Sequence, residues 1–323
     1  MPCASLSLDL DNQWCFMQTN GDPGWEAYPS YLDAVVPRIL EFFRKRDTRI
    51  TVFVVGQDAA LESNAGALAS IAAAGHEIGN HSFRHQPWLH EYQVDELNEE
   101  LDKSESAIEA ATGVRPVAFR GPGYSYSADT LRVLSRRGYQ FDASSFPNAV
   151  NVLARMYFFR GSKLGAEEKL RRKALFGRPS EVFRPIRPYL WDVTGSPLLE
   201  IPVTTLPLLR LPIHFSYVLY LGKRAPWLAR AYFRLATSLC KWFGVEPSML
   251  FHPLDFMGKD DGCDAVSFFP GMNMHSSDKI RLLNECLDIL LSDFELVPMS
   301  THAERIRQRS HLRVLPMPAE QAR

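Results

Sequence analysis

Two imidazoles four residues apart, His81 and His85, close the run His76-Glu77-Ile78-Gly79-Asn80-His81-Ser82-Phe83-Arg84-His85. On one helical turn, or in a tight loop, that spacing puts both rings on the same side, where they can grip one metal ion. A second pair, Asp9 and Asp11, ends the run Leu6-Ser7-Leu8-Asp9-Leu10-Asp11. Side chains two apart on a strand point the same way, so both carboxylates can face one site. Their mutual repulsion calls for a cation between them, or makes one of them a poised base. One carboxylate with two imidazoles is a borderline ligand set that suits zinc or another divalent transition ion, with positions left open for water and substrate. Asp11, His81 and His85 therefore read as a catalytic metal site. Each pair alone also has a plain reading, as a surface or core histidine pair or as a loop acid pair after a strand.

These side chains need elements that hold them together. Leu6 to Asp11 alternates and predicts a first strand. Tyr28 to Lys45 predicts a helix, with Leu32, Val35, Val36, Ile39, Leu40 and Phe43 on one stripe. Ile50 to Val55 predicts a strand, Ala59 to Ala74 a helix closed by Gly75, and His76 to Asn80 a strand. A helix over Tyr92–Thr112 follows, acidic at its start as the helix dipole favours. Val117 to Phe119 predicts a strand running into Arg120-Gly121-Pro122-Gly123-Tyr124. Ser127 caps a helix to Arg137, and Tyr139 to Asp142 is the next strand. Strand and helix thus alternate with short connections, which argues for parallel strands and right-handed crossovers. The rhythm resumes with a strand over Met249–His252, a helix over His275–Ser292 and a strand over Phe294–Val297. From Arg305 onward the chain is polar and contains proline, which predicts a loosely held tail.

The 323 residues, 46% of them hydrophobic, suit one α/β barrel with insertions. Five cysteines without a close-spaced pair argue against a disulfide framework and for a reducing compartment. Met1-Pro2-Cys3-Ala4 shows neither the basic start nor the apolar run of a signal peptide, so the expected location is the cytoplasm. The net charge of −1 hides an asymmetry. Residues 151–245 carry 16 basic side chains against five acidic ones, a surplus of eleven that leaves −12 for the rest. Such a stretch suits an anionic partner, a phospholipid surface or a phosphorylated substrate, or else a solvated face. No nucleic-acid reading motif is present, and no nucleic acid is expected. Within it, Leu199 to Thr204 predicts a strand. Trp227 to Phe243 predicts an amphipathic helix with Trp227, Leu228, Ala231, Tyr232, Leu235, Leu239 and Trp242 on its apolar face, the composition of an interfacial helix or of a core-packing one. Trp191 is a candidate aromatic wall for a sugar.

Reactive groups now stand at five strand ends: Asp9 with Asp11, His81 with His85, Arg120, Asp142 and His252. In a parallel barrel such ends converge on one mouth. Together these residues resemble the polysaccharide deacetylase family, the NodB-type domain of carbohydrate esterase family four. Leu8-Asp9-Leu10-Asp11 is similar to its first motif, with the two aspartates spaced by one residue where the commoner form has them adjacent. His81-Ser82-Phe83-Arg84-His85 matches the His-Ser/Thr-x-x-His motif. Arg120-Gly121-Pro122-Gly123-Tyr124 resembles its Arg-x-Pro motif, and Leu250-Phe251-His252 matches Leu-x-His.

The resemblance implies an α/β fold, a distorted, incomplete (β/α)7-type barrel with a long basic insertion. The barrel would take residues 1–147 and 246–302, the insertion 148–245 and a flexible tail 303–323. It also implies roles. Asp9 is the base, held by Arg120, and His252 the acid, oriented by Asp142. Asp11, His81 and His85 hold a divalent metal, zinc first, with cobalt, nickel or manganese as alternatives. Pro122, Gly123 and Tyr124 line the groove. The expected activity is removal of an N-acetyl group from an amino sugar, on a lipid-linked sugar at the inner membrane face where the basic segment would contact anionic lipid. The alternatives are a deformylase or small-molecule amide hydrolase of the same fold, and a non-catalytic glycan- or lipid-binding module.

Overall fold

The structure is a computed structural model that describes residues 1–150, 165, 179–309 and 311–319. Eight of the basic residues of the central segment, Arg155 to Arg178, therefore lie outside the described residues.

Strand β1 (Cys3–Asp9) is buried along its whole length. Its alternation is still meaningful. Ala4, Leu6, Leu8 and Leu10 join the large core between sheet and helices. Ser5, Ser7 and Asp9 face the other way and bond to His302 and Arg120. Small polar residues on that face leave room inside the barrel for a long, charged side chain from across the sheet.

Among the described residues the sheet has ten strands: β1, β2 (Thr51–Val54), β3 (Glu77–Asn80), β4 (Ala118–Phe119), β5 (Phe141–Asp142), β6 (Tyr189–Trp191), β7 (Leu198–Glu200), β8 (Ser248–Phe251), β9 (Glu295–Val297) and β10 (Val314–Leu315). Their order is β10-β6-β7-β5-β4-β3-β2-β1-β8, with β9 added on β1. Every pairing is parallel except β6 with β7. The two ends, β10 and β8, do not pair with one another, so the barrel is open, as the family resemblance implies, and its strands are mostly parallel, as the strand–helix rhythm predicts.

Helices Leu32–Arg44, Glu62–Ala73, Val94–Thr112 and Ala128–Arg136 stand where their apolar stripes place them. Leu32, Val35, Val36, Ile39, Phe42 and Phe43 are the buried face of the first. Ser127 caps the last, its hydroxyl accepting from the Thr130 amide. Inside the barrel, Phe53, Ala118, Phe141, Leu199 and Ile201 pack on Met299, Ala303 and Ile306 of helix Met299–Arg307, which fills the interior below the site.

Two expectations about organisation change. The described part of 148–245 is not a simple insertion, because β7 pairs with β5 and continues the main sheet, while Phe215, Val218, Ala229, Phe233 and Ala236 enter the main core. The expected flexible tail, 303–323, begins inside helix Met299–Arg307 and later supplies β10 against β6. Residues 310 and 320–323 lie outside the described residues. Among the described residues no helix is long and apolar enough to cross a membrane.

Candidate active site

At the end of β1 the chain leaves the sheet through Leu10, Asp11 and Asn12 before helix Gln13–Asn20 begins. Asn12 fixes this turn. Its side-chain oxygen accepts from the amides of Gln13 and Tyr31, and its amide group donates to Asp58 at 2.7 Å and to Ser30 at 2.9 Å. Asp58 also accepts from Trp14 Nε1 at 3.0 Å and Asn64 Nδ2 at 3.0 Å. Burial pushes the Asp58 carboxyl up to about 7. The Tyr31 hydroxyl donates to the backbone carbonyl of Asp11. Asp11 is therefore aimed by a polar network beneath it that local sequence does not announce.

His81 and His85 sit in a tight loop, not on a helix. Ser82 and His85 both have positive φ, 62° and 52°. Such backbone costs of order 1–3 kcal/mol per residue and persists only where the surroundings enforce it. Here Asn80 accepts from the Ser82 amide at 2.9 Å, and buried Glu100 accepts from the amides of Phe83 and Arg84. The outcome is a three-residue cluster. One carboxylate oxygen of Asp11 lies 3.2 Å from His81 Nε2 and 3.1 Å from His85 Nε2. Ligands about 2.1 Å from a single ion lie about 3.0–3.4 Å apart, so the spacing fits one divalent cation.

The donor chemistry fits as well. His81 Nδ1 is 2.7 Å from the carbonyl oxygen of Arg120, which fixes that nitrogen as the donor and leaves Nε2 a lone pair. All three side chains are buried. Burial opposes ionisation of Asp11, yet the imidazoles of His85 and His81 outweigh it and hold the carboxyl well below the usual carboxylate range. Burial likewise opposes charge on His81, and Asp9 and then Asp11 raise it. A cluster that favours positive charge opposite Asp11 is one in which a cation can take the place of protons.

Asp9 lies beside this cluster. Arg120 Nη1 donates to its Oδ1 at 2.6 Å and to Ser7 Oγ at 2.9 Å, while Nε donates to the Ala143 carbonyl at 2.9 Å. The guanidinium lies over the Phe53 ring, 4.3 Å from its centre. Gly79 makes room for that ring, since a Cβ there would fall 2.6 Å from it. Pro122, Gly123 and Tyr124 form one turn of 3-10 helix after Arg120. Gly123 and Tyr124 have φ of 59° and 63°. A Cβ on Gly121 would lie 1.8 Å from the Ser125 carbonyl, so only glycine can start this turn. Burial first, then Asp9, pushes the Tyr124 hydroxyl well up from its usual range, and its ring lies against Phe146 at 4.6 Å.

His252 follows β8 and is half-buried. Its Nδ1 is 3.1 Å from Ser216 Oγ, and its amide donates to Asp255 at 2.8 Å. Asp142 is not its partner, contrary to expectation. Asp142 accepts from Ser144 at 2.6 Å and lies beside Glu200, and burial raises both carboxyls. Ser144 in turn accepts from the Gly121 amide at 2.8 Å, so Asp142 supports the Arg120–Tyr124 turn. Trp191 is not a sugar wall either. It is fully buried, donates from Nε1 to Glu200 at 2.9 Å and packs with Tyr189 and Tyr126.

Sequence reasoning missed His214. Its ring lies 5.9 Å from that of His252 and 4.6 Å from that of Tyr217. Burial lowers it well below the usual imidazole range, so it stands neutral at the mouth. It comes from the acid-free stretch after Pro212, where no spacing marks it out.

Residues 22–141 match the sequence profile of the polysaccharide deacetylase family. A peptidoglycan deacetylase of Helicobacter pylori is 29% identical over 113 residues, 35% of this chain and 38% of that protein. The peptidoglycan-N-acetylmuramic acid deacetylase PdaA of Bacillus subtilis is 30% identical over 111 residues, 34% of this chain and 41% of that protein. The chain thus spans roughly two fifths of the length of these curated relatives. A Mycobacterium smegmatis protein assigned as a polysaccharide deacetylase superposes with a TM-score of 0.61 at 19% identity, covering 100% of this chain and 99% of the other. That likeness is one of fold.

Proposed function

We propose that this chain, whose residues 22–141 match the polysaccharide deacetylase family, is a metal-dependent hydrolase that removes an N-acyl group, acetate first, from an amino sugar. The observation that carries the reading is Asp11 held between two imidazole nitrogens with the Asp9–Arg120 pair beside it.

Asp11, His81 and His85 would hold the cation, zinc or a comparable divalent ion such as cobalt, nickel or manganese. A divalent ion there supplies an acidified water and a polarised acyl carbonyl. Asp9 acts as the base. Arg120 occupies one of its oxygens and leaves the other to take a proton from the attacking water. Charge developing on the acyl oxygen meets the left-handed Gly123–Tyr124 turn; the Tyr124 N–H donates within the turn to the Gly121 carbonyl at 3.0 Å, which leaves the Gly123 N–H to meet an oxyanion. His252, with Nδ1 turned to Ser216, keeps Nε2 for protonating the leaving amine. His214 stays neutral beside it and does not compete for that proton.

The finer proposal is a sugar carried on a polyprenyl phosphate at the membrane surface. The basic surplus of residues 151–245 supports it, and the five free cysteines suit a reducing compartment such as the cytoplasm. The test is acetate and formate release from a panel of free and lipid-linked N-acylated amino sugars, with and without chelator. Chelator-sensitive acetate release is expected. Formate release alone would make the protein a deformylase, and no release from any member would leave a binding module.

A further inference from the structure

Helix Pro226–Trp242 has three faces. Ala229, Phe233, Ala236, Thr237 and Cys240 form the buried stripe. The apolar residues singled out in the sequence lie mostly elsewhere: Trp227 is 66% exposed, Leu228 44%, Leu235 54% and Trp242 80%. At about 100° per residue these four fall within an arc of about 100°, on the side away from the core. Arg230, Arg234 and Lys241 follow along one edge of that arc. Arg230 and Lys241 are tied to Glu285 and Asp293 of the next helix, Ser276–Asp293, while Arg234 is exposed. Lys223 and Arg224, just before the helix, are exposed too. No acidic residue occurs between Ile201 and Val245.

A second feature extends the same surface. The loop closed by the Thr205–Pro212 bridge puts Leu208 and Leu209 at its tip, 73% and 63% exposed. Leu208 and Arg210 both have positive φ, 69° and 56°. Apolar side chains are thus held out in water on strained backbone. Tyr232 of the helix donates its hydroxyl to the Pro212 carbonyl at 2.9 Å, which joins loop to helix. Two residues after Pro212 comes His214, beside His252 at the mouth.

We propose that this surface docks the protein on an anionic phospholipid surface, with the two tryptophans and the leucine tip entering the headgroup region and the basic edge facing lipid phosphate. An apolar band edged by exposed Arg234, Lys223 and Arg224, with the acids beside it, Glu285 and Asp293, already paired to Arg230 and Lys241, complements a negatively charged bilayer face. The same residues would repel a second copy of their own basic edge. The inference deepens the proposed function by naming where a lipid-borne substrate is met. The experiment needs no catalysis, so the two readings can fail separately.

The test is co-sedimentation of the full chain with vesicles of phosphatidylglycerol in phosphatidylcholine, and with phosphatidylcholine alone. The wild type should pellet with the anionic vesicles, lose at least tenfold in partitioning on phosphatidylcholine alone, and be released by raised salt. The doubles Trp227→Ser/Trp242→Ser and Leu208→Ser/Leu209→Ser should each weaken binding tenfold or more, with wild-type thermal unfolding as the folding control. Equal binding of wild type and doubles, equal binding to neutral vesicles, or no wild-type binding would overturn the proposal. So would a wild-type dimer in sedimentation velocity that both doubles convert to monomer, which would assign the surface to a second copy of this chain.

Discussion

Arg120 Nη1 lies 2.6 Å from Asp9 Oδ1, with the guanidinium fully buried, although 111 residues separate the two in the chain. The pair places one carboxylate beside Asp11, with the Arg120 guanidinium against Asp9 and the imidazoles of His81 and His85 against Asp11. Asp9→Asn keeps this shape and removes the base. It should leave metal content unchanged and lower kcat by about 10²–10⁴-fold, read by elemental analysis and acetate release on the same preparation.

Breaking the other half of the pair acts differently. Arg120→Met leaves Asp9 buried without its partner, and loss of one member of such a pair costs about 3–5 kcal/mol. Chemical denaturation should show that loss of stability, in contrast to Asp9→Asn, where a neutral amide still accepts from the guanidinium.

His85→Gly removes one ligand and the strain of a left-handed side-chain-bearing residue together. Metal affinity should fall by at least tenfold in competition with a chromophoric chelator, while the apo protein should unfold at a temperature no lower than wild type. A large drop in apo stability would mean that the loop is held by packing and not built around a ligand.

Asp142 lies behind the Arg120 turn, bonded to Ser144 and beside Glu200, away from His252. Asp142→Asn should therefore change kcat less than tenfold and leave the pH profile in place. Ser216→Ala, which removes the hydroxyl 3.1 Å from His252 Nδ1, should move the limb of the profile assigned to the acid. The reverse pattern would restore Asp142 as the residue that orients His252.

Away from the site, Glu246 bridges helix Met299–Arg307 and the loop before β8. Burial opposes its ionisation, and His302 and Arg309 overcome it, holding the carboxyl down to about 2 from an ordinary 4.5. A depressed acid contributes stability that is complete above about 4.5 and is lost as pH falls toward 2. Glu246→Gln should flatten the dependence of the unfolding midpoint in that window and leave it unchanged above pH 5.

Much of this was legible from residue types in order. Stripes such as Leu32 to Phe43 fixed helices because a 3.6-residue period has one burial solution. The Asp11–His81–His85 cluster was legible because its members carry chemistry that plain packing does not need. Four things were hidden. The alternation of β1 read as one buried face, but both are buried, because the polar face turns into a barrel whose interior is lined from across the sheet. Asp142 was paired with His252 on strand-end position alone, and position does not say which way a carboxylate leans. Asn12 and Asp58 aim Asp11 through tertiary bonds 46 residues apart, beyond any local pattern. The helix after Pro226 showed its apolar residues plainly, yet only the packing of Ala229, Phe233 and Ala236 reveals that the tryptophans face out.

The short strand Val314–Leu315 lies along β6 at the rim of the sheet. An uncovered rim offers its row of free amides and carbonyls to any other extended chain, and nature usually hides it. A protein shortened after Gln308 should therefore keep the Asp11–His81–His85 cluster and lose its good behaviour at high concentration, clumping through the exposed Tyr189–Trp191 border.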